Sequence, residues 1–309
     1  LWDLERGTLS GGQVTLLWTD RHTNSINGVA FAPDGRLLAS GGDDALVRLW
    51  DATSGMNVQT LASQGGAVYA LAWSPDGKLL TSSGFDGRIQ VWELQGTQPA
   101  TCVQTLLGHT DWVTGLAFAP DGAKLASASW DRTVRLWDMA SGDCLQTLTG
   151  HTDRMLRVAW SPDGRTLASA GFDQTIWLWD VERDSYQAAL HGHTADVYTI
   201  VFTPDSRSLL SGSEDGTVRV WDVESGQCVR IMQGYAVSLY DIAWSPDGTQ
   251  LASGGTDMLV TIWDVASGTS RRVLRGHSQI VHGVTWSPDG RHLASSGWDN
   301  TIRLWDPAT

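Results

Sequence analysis

A short pattern of Trp and Asp residues recurs along the whole chain at a nearly constant spacing. Successive Trp residues of the pattern are 42 positions apart, except for a step of 45 between Trp92 and Trp137. An Asp stands six positions before each of these Trp residues. A period of about 40 residues indicates similar units that stack on one another and share a core. The pattern Trp residues are Trp50, Trp92, Trp137, Trp179, Trp221, Trp263 and Trp305.

Each unit reads as four short strands separated by turn signals. In the third unit the mostly apolar run Val113–Phe118 predicts an inner strand, and Pro-Asp-Gly at 120–122 predicts a tight turn. Lys124–Ser129, 133–137 and Cys144–Leu148 are the expected second, third and fourth strands. The fifth unit has Ser206 in the Gly position of that turn, which should cost up to about 1 kcal/mol if its φ is positive. The chain contains no helix-period segment of useful length, so we predict an all-β fold.

Four-stranded units that end in Trp-Asp resemble the repeats of the WD-repeat family of β-propellers, of the prokaryotic type, over nearly the whole chain. The resemblance implies a seven-bladed ring with four antiparallel strands per blade around a central channel. The last unit has no fourth strand of its own after Trp305, so we expect an N-terminal strand at about 13–18 to complete it and close the ring. We interpret 1–309 as one propeller from a longer protein, in which residues 1–3 are the remnant of a preceding repeat.

Five units contain Asp, His, Ser and Trp at fixed spacing, which are partly the residue types of a hydrolase triad. In the WD-repeat family the matching residues form a buried hydrogen-bonded chain within each blade, so the resemblance implies a structural role and no catalytic residue. The five sets are Asp44, His22, Ser40 and Trp50; Asp131, His109, Ser127 and Trp137; Asp173, His151, Ser169 and Trp179; Asp215, His193, Ser211 and Trp221; and Asp299, His277, Ser295 and Trp305.

Charge and composition argue against several kinds of partner. The net charge is −13, from 21 basic and 34 acidic residues, which does not suit a nucleic-acid backbone. No apolar run reaches the roughly 18 residues of a membrane span. The His pairs 191/193 and 277/282 lack the further ligands of a metal site, and no cofactor motif is present. Three cysteines at equivalent positions read as reduced thiols that fill a strand in a cytoplasmic protein.

The resemblance also indicates where a partner would bind. In this fold one rim, the top face, is built from the loops that enter the inner strands and from the turns between second and third strands. Family partners contact the positions three and five after the His and the position before the turn Asp. Four of the seven turn positions are large aromatics, and an exposed aromatic patch with an Arg is typical of an interaction surface. The predicted contact residues are Tyr69, Phe85, Trp112, Trp130, Arg154, Phe172, Tyr198, Tyr240, His282 and Trp298.

These features predict a non-catalytic scaffold or sensor module, a monomeric ring that binds a protein or peptide on its top face. The resemblance extends to sensor or autoinhibitory domains at the carboxy terminus of larger signalling proteins. A receptor for a small ligand or carbohydrate, using the same aromatic face, is the alternative. Two other interpretations carry less support: aromatics that only pack across blades, and acid–base chemistry at Asp196 and Glu214, the nearest candidates for it.

Units two and six have Gln64 and Tyr235 in place of the network His. We therefore predict that these two blades are locally the least stable, because their networks lack one member. Amide hydrogen exchange should show their second and third strands exchanging faster than those of the five complete units. Equal protection in all seven units would contradict this prediction.

Overall fold

The computed structural model describes residues 15–63, 65–94, 99–181, 183, 185–232 and 238–308, and within these residues the chain forms seven four-stranded antiparallel sheets. Blade 1 consists of β2 to β5, each of the next five blades takes the following four strands, and blade 7 consists of β26, β27, β28 and β1. The strands are β1 (Thr15–Arg21), β2 (Ile26–Phe31), β3 (Leu37–Gly42), β4 (Leu46–Asp51), β5 (Asn57–Ala62), β6 (Val68–Trp73), β7 (Leu79–Gly84), β8 (Ile89–Glu93), β9 (Thr101–Leu106), β10 (Val113–Phe118), β11 (Lys124–Ser129), β12 (Val134–Asp138), β13 (Cys144–Leu148), β14 (Met155–Trp160), β15 (Thr166–Gly171), β16 (Ile176–Asp180), β17 (Ser185–Leu190), β18 (Val197–Phe202), β19 (Ser208–Ser213), β20 (Val218–Asp222), β21 (Cys228–Met232), β22 (Leu239–Trp244), β23 (Gln250–Gly255), β24 (Val260–Asp264), β25 (Thr269–Leu274), β26 (Val281–Trp286), β27 (Leu293–Gly297) and β28 (Thr301–Asp306).

The predicted closure of the ring by an N-terminal strand is confirmed. Strand β1 pairs antiparallel with β28, with Leu16 opposite Trp305 and Arg21 opposite Thr301. The strand runs to Arg21, beyond the predicted end, while residues 1–3, 13 and 14 lie outside the described part of the chain. Trp18 ties blade 7 to blade 1, because its indole N–H donates to the carbonyl of Ala52 at 3.1 Å.

The core lies between neighbouring blades. At the closing seam, Leu38 and Trp50 of blade 1 pack against Ile302 and Leu304 of blade 7. The second strands are buried on both faces and rich in Ala, Ser and Gly, which lets the next blade approach closely. A Cβ at Gly41 would overlap the side chain of Val68 in blade 2. The small residues of these strands are therefore a packing requirement of the ring.

The outer strands have one face in solvent, and this corrects the expectation for the cysteines. Cys102 and Cys144 are exposed and Cys228 is partly buried, so the first two do not fill a core position. All three are free thiols on fourth strands.

The third strand of blade 3 begins at Val134, one residue later than expected.

The turn prediction for the fifth unit is confirmed by the backbone. Ser206 has φ of 62°, in the left-handed region that favours Gly. Its hydroxyl accepts a hydrogen bond from the backbone N–H of Asp163 in blade 4 at 3.1 Å. This contact between blades offsets part of the strain.

The Asp, His, Ser and Trp residues of blade 3 form one continuous hydrogen-bonded chain. The indole N–H of Trp137 donates to Oγ of Ser127 at 2.8 Å, and Ser127 contacts Nε2 of His109 at 2.7 Å. Nδ1 of His109 lies 2.7 Å from a carboxylate oxygen of Asp131. This carboxylate also accepts the hydroxyl of Thr133 at 2.6 Å. The chain joins the loop before the inner strand to the turn between the second and third strands.

The other four complete blades repeat this geometry closely. Their Nε2 to Oγ distances are 2.7 or 2.8 Å, and their indole to Oγ distances are 2.8 or 2.9 Å. In blades 2 and 6, Trp92 and Trp263 still donate to Ser82 and Ser253, at 2.8 and 2.9 Å. Gln64 and Tyr235 lie outside the described residues, so the relative weakness of these blades stays a prediction.

Burial and hydrogen bonding set the charge state of the networks. Burial lowers the pKa of His22 and His193 below 6.5, and the neighbouring carboxylates only partly oppose this effect. Burial would raise the pKa of Asp131, but the hydrogen bond and charge of His109 outweigh it and hold the pKa well below 3.8. The lowered pKa of His22 and His193 favours a neutral imidazole beside an ionised Asp in blades 1 and 5.

Replacing the central hydroxyl tests the energetic role of a network. Ser127→Ala would leave both Nε2 of His109 and the indole N–H of Trp137 buried without this partner. We expect a loss of roughly 2–6 kcal/mol in the free energy of unfolding, at about 1–3 kcal/mol for each of the two orphaned groups. Urea unfolding gives the value, and Ser141→Ala, at an exposed site of the same blade, should change it by less than about 0.5 kcal/mol. Equal effects of the two substitutions would contradict a structural network.

The networks also predict acid lability. Because the folded pKa of His22 and His193 lies below 6.5, the unfolded chain takes up protons first, and stability should fall as pH drops below 6.5. The lowered pKa of the Asp partners adds a second loss below 3.8. Thermal unfolding between pH 8 and pH 3 measures both, and His22→Gln should reduce the first loss. A melting temperature that stays constant from pH 7 to pH 4.5 would contradict the assignment.

Candidate functional site

Nine of the ten predicted contact residues are rings that together form one chain of ring contacts across blades 2 to 7. We call this chain the aromatic belt. It lies on the rim where the inner strands begin, because its members stand at the start of these strands or at the turns between second and third strands. The tenth predicted residue, Arg154, lies on it. The belt consists of Tyr69, Phe85, Trp112, Trp130, Phe172, Tyr198, Tyr240, His282 and Trp298.

The belt is most closely packed at blades 2 and 3. Trp112 stacks on Trp130 with centroids 3.9 Å apart and an interplanar angle of 21°. Phe85 meets Trp112 edge-on at 3.9 Å, and Tyr69 lies between blades, 5.2 Å from Phe85 and 5.7 Å from Trp112. The guanidinium carbon of Arg154 lies 4.5 Å from the ring centroid of Trp130, a cation–π contact.

The belt continues with longer contacts into blades 5 to 7. Phe172 bridges the two halves, 6.1 Å from Trp130 and 6.4 Å from Tyr198. Tyr198 stacks on Tyr240 at 4.6 Å and 20°. Tyr240 then meets Trp298 edge-on at 5.9 Å. The rings therefore pack on one another across blades, which agrees in part with the interpretation that they have only a packing role. They also leave part of their surface accessible on the rim.

The belt is partly buried rather than fully covered. Phe85 is its most accessible ring at 37% exposure, and the other rings are of intermediate burial. The indole N–H of Trp130 is buried without a hydrogen-bond partner among the described residues. An apolar surface of this extent on a rim is typical of an interaction site.

Acidic groups flank the belt in blade 5. Burial raises the pKa of Asp196, and the charges of Glu214 and Asp153 raise it further. Burial also raises the pKa of Tyr198, together with Tyr240, Glu214 and Asp196. Hence the part of the belt around Tyr198 lies near negative charge.

Sequence reasoning missed a group of polar residues on the inner strands of blades 4 to 6. Asp241 accepts the hydroxyl of Thr199 at 3.1 Å and the backbone N–H of Val284 at 2.9 Å, so it links blades 5, 6 and 7. Burial raises its pKa, while the charge of Arg157 opposes this rise. Arg157 donates to the carbonyl of Thr114 in blade 3 at 3.2 Å. Alignment of the units would have revealed them, because the equivalent positions in the other blades hold Gly or Ala.

His282 has a structural contact that the sequence did not suggest. Its Nδ1 lies 2.7 Å from the carbonyl oxygen of Asn27 and so donates to it across the closing seam. Burial, and then the charge of Arg157, lower the pKa of His282 to about 4. The ring stacks on Trp298 at 6.1 Å and forms the inner edge of the belt.

The network hydroxyls and the metal-ligand side chains are the remaining candidates for chemistry among the described residues. The network Ser residues are buried, and each is engaged by a Trp and, in the five complete blades, by a His. No group of three or more His, Cys, Asp or Glu in the described ranges could hold a metal ion. The same ranges contain no helix long and apolar enough to cross a membrane.

Known proteins share the repeat and short parts of the sequence. Over 65 residues the chain is 42% identical to a subunit of chromatin assembly factor 1 from Mus musculus, a match that covers 21% of this chain and 11% of that protein. It is 46% identical over 46 residues to a WD repeat-containing protein of Synechocystis, covering 15% and 13% of the two chains. It is 42% identical over 50 residues to the small ribosomal subunit protein RACK1 of Medicago sativa, covering 16% and 15%.

The chain thus spans less than a sixth of the length of these relatives, and the family assignment comes from the repeats. Seven segments match the repeat described as "WD domain, G-beta repeat", at residues 14–51, 55–93, 100–138, 142–180, 185–222, 226–264 and 268–306. The chain belongs to the WD40 family, whose propellers generally act as protein-interaction scaffolds.

Proposed function

We propose that this propeller is a non-catalytic module that binds a protein or peptide on its aromatic belt. The observation that carries the proposal is the continuity of the belt over six blades, from Phe85 to Trp298. Trp, Tyr and Arg are the residues that contribute most to interface energies. A long, partly buried row of such residues suits an extended partner that contacts several blades.

The stacking geometry favours a peptide over the alternative, a small ligand or carbohydrate. A sugar binds by stacking on free ring faces. Trp112 already stacks on both Trp130 and Tyr69, and the ring of Trp130 also contacts the guanidinium of Arg154. Two shallow grooves of the described surface lie on the opposite rim, between Pro-Asp-Gly turns such as those at Asp34 and Asp289. With these Trp faces occupied, the belt at blades 2 and 3 suits the apolar side chains of a partner better than a stacked sugar.

A finer proposal concerns the biological setting. The close similarity of the units and the match to the Synechocystis protein support a prokaryotic signalling context. In that setting the propeller would act in the cytoplasm as the sensor or autoinhibitory domain of a larger protein. The names of the other relatives refer to chromatin assembly and the ribosome, which also fit a scaffold.

Affinity capture tests the proposed function. Immobilised wild-type chain and the variant Trp112→Ala/Trp130→Ala are exposed to the same lysate of the source organism, after both have been shown to be folded by thermal unfolding. We expect at least one protein to be lost from the variant, because the two substitutions remove the closest stack of the belt. Tyr186→Ala is the matched control, an aromatic that is 51% exposed on an outer strand.

The control should capture the same proteins as wild type. Identical captures from a folded Trp112→Ala/Trp130→Ala variant would show that the belt only packs across blades, and would overturn the proposal.

A further inference from the structure

Two parts of the aromatic belt, one at blades 2 to 4 and one at blades 5 and 6, differ in polarity. At blades 2 to 4, Phe85, Trp112 and Trp130 lie with the guanidinium of Arg154. At blades 5 and 6, the Tyr198–Tyr240 stack lies in the field of Asp196 and Glu214. A ligand that matches the belt along its length must therefore differ in charge between its ends.

Asp196 and Glu214 form an uncompensated negative pair. The backbone N–H of Glu214 donates to the carbonyl of Asp196 at 2.9 Å, which fixes the two residues side by side. The charges that act on Asp196 are those of Glu214 and Asp153, and both are negative. The Lys and Arg ion pairs of the described residues all involve other carboxylates. A cation supplied from outside would relieve this repulsion.

The aromatic faces select the kind of cation. An organic cation gains from Tyr faces as well as from carboxylates, whereas a hard metal ion needs six or more oxygen ligands. Within the described residues no acidic cluster reaches the size of a metal site. The belt already contacts one guanidinium, that of Arg154 on Trp130, at blade 3. The molecule itself thus shows that this surface holds an Arg side chain.

Long-range electrostatics act in the same direction. The net charge of −13 attracts basic partners and repels acidic ones. The positive charge of Arg154 repels a second cation from the part of the belt at blades 3 and 4. A basic side chain of the partner is therefore best placed at Tyr198, with apolar side chains of the same partner towards Trp112.

We propose that the belt binds an extended peptide segment in which a Lys or Arg lies on the Tyr198–Tyr240 stack beside Asp196 and Glu214, and apolar side chains contact Phe85 and Trp112. The proposal rests on the proposed function and deepens it, because it defines the chemistry of the partner. The segment belongs to another protein, and its recognition depends on two features together, one basic residue and one apolar or aromatic residue at a fixed separation.

A random peptide library displayed on phage provides a defined probe. Twelve-residue peptides are selected on the immobilised chain, and the recovered sequences are synthesised with a fluorescent label and titrated by anisotropy. We expect enrichment of Lys or Arg at a fixed distance from an aromatic or large aliphatic residue. Replacing that basic residue by Gln should weaken binding about tenfold or more.

Matched variants locate the basic residue. Asp196→Asn/Glu214→Gln removes two charges with little change of shape, and Asp143→Asn/Glu224→Gln removes two exposed charges on the connections before the fourth strands. The first variant should bind about tenfold more weakly, and the control should stay within about twofold of wild type. In the first variant the Lys or Arg to Gln exchange in the peptide should no longer matter, which is the coupling expected of a direct contact. If the double variant does not fold, Glu214→Gln alone, at an exposed residue, gives the same comparison.

The outcomes separate this inference from the proposed function. Peptides that lose binding to Trp112→Ala/Trp130→Ala but bind equally to wild type and Asp196→Asn/Glu214→Gln would overturn the inference and leave the proposed function intact. Enrichment of acidic peptides would overturn it as well. If no selected peptide depends on Trp112 and Trp130, both proposals fail together.

Discussion

The hydrogen-bonded chain from indole to carboxylate is the interaction on which the rest of this structure depends. In blade 3 it runs from Trp137 through Ser127 and His109 to Asp131, and every contact is 2.8 Å or shorter. It joins the second and third strands to the loop that enters the inner strand. Because its polar groups are buried, breaking one link leaves others unpaired, and the turn and the loop therefore stay together.

The hydrogen-bonded networks help to fix the position of the aromatic belt. Trp130 directly precedes the network Asp131, and Trp112 follows His109 by three residues. Their stacking distance of 3.9 Å is thus set by backbone that the network already fixes. Because the offsets recur from unit to unit, the rings of blades 2 to 7 lie on the same rim. A binding surface made in this way is preorganised, which reduces the ordering cost of association.

The sequence predicted the architecture well and the site in part. The constant period determined the number of blades, and the missing fourth strand after Trp305 indicated the closure by β1. The sequence did not predict which rings touch. Tyr69 contacts Trp112 of the next blade, and such a contact depends on how neighbouring blades are oriented, which a single repeat does not show. Asp241 was missed because it lies within a run that reads as an apolar strand. The exposure of Cys144 was missed because an isolated repeat does not reveal which face of its outer strand is in solvent.

Comparison of equivalent positions in the seven units distinguishes residues that the fold requires from residues that it does not require. Where the inner strands of neighbouring blades approach each other, each blade needs a small residue or a polar residue with a hydrogen-bond partner. Gly115 is the smallest possible residue at this position, and a Cβ added there would lie 3.0 Å from Cα of Arg157. Asp241 meets this need at a cost, since burial raises its pKa and it depends on Thr199 and Val284 for hydrogen bonds. Asp196 and Glu214 likewise contribute repulsion, not stability, to blade 5. The residues that differ most from the repeat pattern are concentrated in blades 4 to 6. The charged side chains of these three blades, rather than the shared fold, would therefore distinguish one partner from another.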